Sequence, residues 1–82
     1  MYEVVIDGPA IASLKKLPNQ LKTRIFDKIA SAKADPFRFF ERFEGRADYK
    51  LRVGSYRVIA DIDPTKQRID ITRIGHRKNV YD

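Results

Sequence analysis

The chain has 82 residues, and its 17 Lys and Arg against 11 Asp and Glu give a net charge of +6. That length makes one domain, residues 1–82, with a modest core, because so short a chain buries only about 60–65% of the surface it exposes unfolded. Cysteine is absent, which excludes disulfides and thiolate metal sites and suits a reducing compartment.

The positive excess is uneven. Residues 42–82 carry ten basic and six acidic side chains, against seven and five in residues 1–41. The sign favours a polyanion or an acidic protein as partner. The start, MYEVVIDGPA, has no basic n-region, and no apolar stretch exceeds three residues. The expectation is a soluble, unexported, cytoplasmic protein with no membrane partner.

In chain order, Tyr2-Glu3-Val4-Val5-Ile6 reads as a strand with Tyr2, Val4 and Ile6 on one face. Asp7-Gly8-Pro9 starts a helix: Asp7 or Gly8 can cap it, and Pro9 suits the first turn because its missing N–H has no partner there. Ile11 and Leu14 mark its apolar stripe, and Lys15-Lys16 sit at its C-terminus, where the helix dipole favours cations. Leu17-Pro18-Asn19 breaks the chain. A second helix runs from about residue 19 to Ala34, with Leu21, Ile25, Ile29 and Ala32 on one face. Asp35-Pro36 stops it, since a residue before proline disfavours the α region. Residues 36–45 hold four of the five Phe and are expected to cover one end of the core as a loop or a short helical turn.

Residues 49–57 alternate apolar and basic: Tyr49, Leu51 and Val53 on one side, Lys50 and Arg52 on the other. Gly54-Ser55 supplies a two-residue loop with glycine where a type II′ turn needs it. So tight a loop fixes the pairing: Val53 with Tyr56, Arg52 with Arg57, Leu51 with Val58 and Lys50 with Ile59. Arg52 and Arg57 then stand opposite each other, which is destabilising and points to an anion between them. Val58–Ile62 continues the third strand, Asp63-Pro64-Thr65-Lys66 makes a turn, and Arg68–Ile74 alternates again as the fourth strand. Gly75 ends it before a short polar tail. The order β-α-α-β-β-β gives an α+β fold, a helical hairpin on one face of a small, mainly antiparallel four-stranded sheet whose other face is left for function.

Several chemistries are excluded. His76 is alone and cysteine is lacking, so no zinc site of ordinary spacing exists. Ser13, Ser31 and Ser55 have no Gly-x-Ser-x-Gly setting, and no glycine-rich phosphate loop is present. Asp61, Asp63 and Asp70 alternate with apolar residues beside a turn and read as solvated strand edges. What remains is fixed positive charge: Lys50, Arg52 and Arg57 on one sheet face, then Arg73, Arg77 and Lys78 at or after the end of the last strand. The planar fork of arginine matches phosphate oxygens. Tyr81, near the end of the chain, suits stacking on a base.

The run Tyr49–Ile59, then Ile74-Gly75-His76-Arg77 and a closing Tyr81, resembles the RelE/ParE toxin superfamily, more closely its RelE branch. The likeness extends upstream to the first strand, the Lys15-Lys16-Leu17-Pro18 break and the Asp35-Pro36 helix stop. It implies a toxin of a type II toxin–antitoxin pair, held by an acidic, RelB-like antitoxin, that cleaves mRNA in the ribosomal A site without metal or other cofactor. The reaction implied is attack of the ribose 2′-OH on the adjacent phosphate.

By position, Lys50, Arg52, Arg57, Arg77 and Tyr81 match the family's active-site positions, and Arg46, Arg73 and Lys78 are candidate RNA contacts. Lys50, crowded by two arginines, is the candidate proton acceptor. Arg52 and Arg57 would hold the phosphate, and Arg77 would stabilise the leaving group. Some RelE enzymes carry a second lysine two residues before the position of Lys50, where this chain has Asp48. Either Asp48 accepts the proton instead, or the site has one basic group fewer. His76 either joins the site or ties the strand end to the backbone. The same fold also serves ParE-like inhibitors of DNA gyrase, and a module that only grips RNA or ribosome phosphates would use the same arginines.

Overall fold

The computed structural model describes residues 1–78. Its elements are β1 (Glu3–Ile6), α1 (Gly8–Lys15), α2 (Asn19–Ala32), α3 (Pro36–Phe39), β2 (Glu41–Arg42), β3 (Tyr49–Val53), β4 (Tyr56–Asp63) and β5 (Arg68–His76). The strands form one sheet in the order β1-β5-β4-β3-β2. β1 runs parallel to β5, and the other neighbours are antiparallel.

The sheet therefore has five strands where the sequence pattern gives four. The additional strand is Glu41–Arg42, two residues long, pairing with Lys50 and Tyr49. A strand that short shows no alternation to read. The parallel placement of β1 follows from its connection, since the α1–α2 hairpin supplies the crossover that parallel strands need.

Pro9 occupies the first turn of α1, and Asp7 is its N-cap residue without a side-chain hydrogen bond. The buried stripe of α1 is Ala10 and Leu14, four residues apart, while Ile11 is 38% exposed. α2 buries Ile25, Ile29 and Ala32, with Leu21 partly covered, as its periodicity predicts. These side chains meet Leu51, Val58, Ala60, Ile69, Ile71 and Ile74 from one face of the sheet in a single cluster. The phenylalanines divide. Phe40 enters this core, whereas Phe43 crosses to the other face and is buried against Ile59.

The hairpin register is the one the two-residue loop demands, from Val53 opposite Tyr56 to Tyr49 opposite Ala60. Gly54 has φ +61 and Ser55 does not share that left-handed conformation, as a type II′ turn requires. β5 departs from alternation. Ile59 pairs with Arg73 and Ala60 with Ile71, so Thr72 is the extra residue of a bulge. Its Oγ1 donates to the Ile59 carbonyl at 3.3 Å. The bulge changes the parity of the strand: Ile69 and Ile71 face the helices before it, and Ile74 after it. Among the described residues no helix is long and apolar enough to cross a membrane.

Candidate active site on the open face

Directly opposed residues of neighbouring strands point to the same side of a sheet. Two such rows cross the face away from the helices. One holds Glu41, Lys50, Ile59 and Arg73. The next holds Arg52, Arg57 and Gly75. The Thr72 bulge puts Arg73 here: strict alternation from Ile69 and Ile71 would have turned it toward the core. In the second row Gly75 sets no side chain beside Arg57.

Arg57 is the one buried charged residue among those described, at 7% exposure. Lys50 is half-buried, and its Nζ lies 5.1 Å from the centroid of the Phe43 ring. The guanidinium carbon of Arg46 sits 4.2 Å from the same centroid. Phe43, 3% exposed, is thus the apolar floor on which two cations rest. Sequence reasoning missed it as a site residue, because four phenylalanines in one short segment gave no sign of which would leave the core.

Asp48 is tied down. Arg46 donates from Nη2 to its Oδ2 at 2.6 Å, and the Phe43 N–H donates to its carbonyl at 3.2 Å. Its Oδ1 is buried and accepts no hydrogen bond. Arg46, expected as an RNA contact, is therefore engaged with Asp48 and Phe43. The backbone N–H of Arg77 donates to the Ser55 carbonyl at 2.9 Å, which fastens the chain after β5 to the hairpin turn. Arg77 itself is exposed, as are Arg73 and Lys78.

Two expected members stand apart. His76 lies in the row of Val53 and Tyr56, on the helix-covered side, with its ring edge-on to Tyr56 at 5.3 Å. Its Nδ1 accepts the Lys78 N–H at 3.2 Å, and its row lies on the other side of the sheet from Lys50 and Arg57. Arg52 shares the row of Arg57, and it is also among the residues that line a cleft against α2 with Arg24 and Lys28. β2 pairs with β3 only as far as Lys50, so Arg52 sits on an open edge and can lean around it. Tyr81 lies outside the described residues.

A helical hairpin on one face of a five-stranded sheet and a basic cluster on the other is the arrangement of a RelE-like α+β fold. The chain belongs to the RelE/ParE toxin superfamily: residues 4–81 match the family described as the ParE toxin of the type II toxin–antitoxin system parDE. Solved structures agree. The toxin–antitoxin complex RelBE2 of Mycobacterium tuberculosis is 26% identical with a TM-score of 0.81, covering 93% of this chain and 98% of that one. The RelE–RelB complex of Pyrococcus horikoshii is 24% identical with a TM-score of 0.80, covering 96% and 98%. The intact RelBE complex of E. coli is 18% identical with a TM-score of 0.80, covering 93% and 96%, a likeness of fold. No curated protein matches the chain significantly.

Proposed function

We propose that this type II toxin is a ribosome-dependent endoribonuclease that cleaves mRNA in the ribosomal A site. The observation that supports it best is the buried Arg57 in a row adjoining Lys50, with Arg77 fastened to the same hairpin turn. Cleavage by 2′-OH attack needs a proton acceptor, charge stabilisation on the five-coordinate phosphate, and relief of charge on the leaving 5′ oxygen. Lys50 takes the 2′-OH proton. Arg57 holds the phosphate oxygens with a fixed charge that needs no reorganisation. Arg77 stabilises the leaving oxygen, and Tyr81 stacks on a neighbouring base. The bond from phosphorus to the 5′ oxygen breaks as the bond to the 2′ oxygen forms, and the departing oxygen takes a proton from water, leaving a cyclic phosphate and a 5′-OH.

The solved relatives are toxins in complex with RelB antitoxins. By that likeness, an acidic antitoxin that folds on binding neutralises the basic open face. A second reading, inhibition of DNA gyrase, is favoured by the ParE description of the matching family. One pair of assays separates them. Nuclease action predicts mRNA cut at A-site codons in a reconstituted translation mixture, with gyrase supercoiling unaffected. Intact mRNA together with arrested supercoiling gives the gyrase reading.

A further inference from the structure

Arg24 projects from α2 onto the tip of the hairpin. A Cβ on Gly54 would meet its Nη2 at 3.5 Å and Nη1 at 3.6 Å, so the guanidinium lies beside the turn with room for about a methyl group between them. Arg24, Lys28 and Arg52 line one cleft between α2 and the hairpin, with Asp27 as the acidic residue of the lining and Phe39 and Val53 as its apolar part. Among the described residues, Arg24, Lys28 and Arg52 make no ion pair and no side-chain hydrogen bond. Three fixed cations against one carboxylate leave the cleft strongly positive.

The cleft and the open face meet at the hairpin, because Arg52 and Arg57 are direct cross-strand partners. The backbones of such partners are only about 5 Å apart. A ligand that crosses this edge must carry anions in close series, which a nucleic-acid backbone does and a peptide with scattered carboxylates does not. The apolar lining beside paired guanidinium groups also suits a ribose or base next to its phosphate.

We propose that this cleft is a second phosphate subsite for single-stranded RNA, in which Arg24, Lys28 and Arg52 hold a nucleotide flanking the one at Lys50 and Arg57. The proposal rests on the RNA reading of the open face. It assigns Arg52 to binding of the strand and removes it from the chemistry.

The test is fluorescence anisotropy with a short 2′-O-methyl RNA, which cannot undergo 2′-OH attack, titrated with the whole toxin across a salt series. Each phosphate contact removed lowers the slope of log K against log salt by about 0.7 for a single strand. Arg24→Gln with Arg52→Gln is expected to lower the slope by about 1.4 and to weaken binding at least tenfold at about 0.1 M salt. Lys28→Gln alone, on the exposed side of α2, should lower it by about 0.7, and serves if the double variant fails to fold. Lys66→Gln, in the distant β4–β5 turn, should change neither quantity. Wild-type affinity and slope in folded variants overturn the subsite. So does a variant that loses an acidic peptide while keeping RNA. If wild-type toxin leaves mRNA uncut yet the variants show these binding losses, the nuclease reading fails and the subsite stands. If wild type cuts and the variants bind RNA as it does, only the subsite fails.

Discussion

Arg52 and Arg57 are direct partners across the β3–β4 hairpin, yet their surroundings differ: Arg57 is buried at 7% exposure, and Arg52 is exposed in the cleft of Arg24 and Lys28. Exposure of Arg52 to solvent screens the repulsion that opposed like charges bring. Arg52→Ala should therefore be neutral or slightly stabilising, within about 0.5 kcal/mol, the range of ordinary surface substitutions. Thermal melting checks it. A fall in Tm of more than about 8 °C, the equivalent of 1–2 kcal/mol in a domain this small, would contradict the register and the packing.

Gly54→Ala should destabilise. The residue sits at φ +61, where an L side chain costs roughly 1–2 kcal/mol, while the new Cβ would meet Arg24 only at an ordinary van der Waals distance of 3.5 Å. At roughly 4–8 °C per kcal/mol, the melting temperature should drop by at least about 4 °C. An unchanged Tm would count against the type II′ turn.

Asp48→Asn decides the proton acceptor. If Asp48 is a tether for Arg46, as their 2.6 Å contact indicates, the variant loses less than about 1 kcal/mol of stability and keeps cleavage within a few-fold. If Asp48 takes the 2′-OH proton, cleavage falls by roughly 10²-fold or more at unchanged stability. Single-turnover cleavage of mRNA on programmed ribosomes reads the difference, and the tether outcome is the one expected.

Phe43→Leu keeps an apolar side chain against Ile59 but removes the ring beneath Lys50 and Arg46. Partly exposed cation–π contacts are worth about 0.5–1 kcal/mol each, so a loss of about 1–2 kcal/mol in denaturant melts is expected. The cleavage rate should fall several-fold at saturating toxin, as Lys50 loses its seat. Full activity with wild-type stability would remove Phe43 from the site.

Much of this arrangement is legible in the sequence because short-range rules settle it. Gly54-Ser55 leaves one register for the hairpin, so every pair from Val53–Tyr56 to Tyr49–Ala60 can be written down in advance. Proline and the apolar period likewise place α2, whereas in α1 Pro9 marks the start but the buried stripe is Ala10 and Leu14, with the expected Ile11 left exposed. Three features escaped for physical reasons. β2 is too short to show a period, so the fifth strand is invisible. The Thr72 bulge is hinted at only by the three-residue step from Ile71 to Ile74, where strict alternation takes two, and without it Arg73 is read onto the wrong face. Arg24 is distant in sequence from the hairpin it lies beside, and Phe43 is one of four phenylalanines in a short segment with nothing local to single it out. His76, beside Arg77 in the motif, shows the reverse: it is the last residue of β5 and falls in the row of Val53 and Tyr56, on the helix-covered side.

The central claim is that Lys50, Arg57 and Arg77 form one catalytic site on the open face. The most direct test is primer-extension mapping of mRNA in a reconstituted translation mixture, with wild-type toxin, Lys50→Ala and Arg77→Ala compared at equal ribosome occupancy. The account predicts cuts within the A-site codon by wild type, reduced by about 10²-fold or more in each variant, the scale of losing a general base or a charge-stabilising group. Uncut mRNA with wild type, or full cutting by both variants, would contradict it.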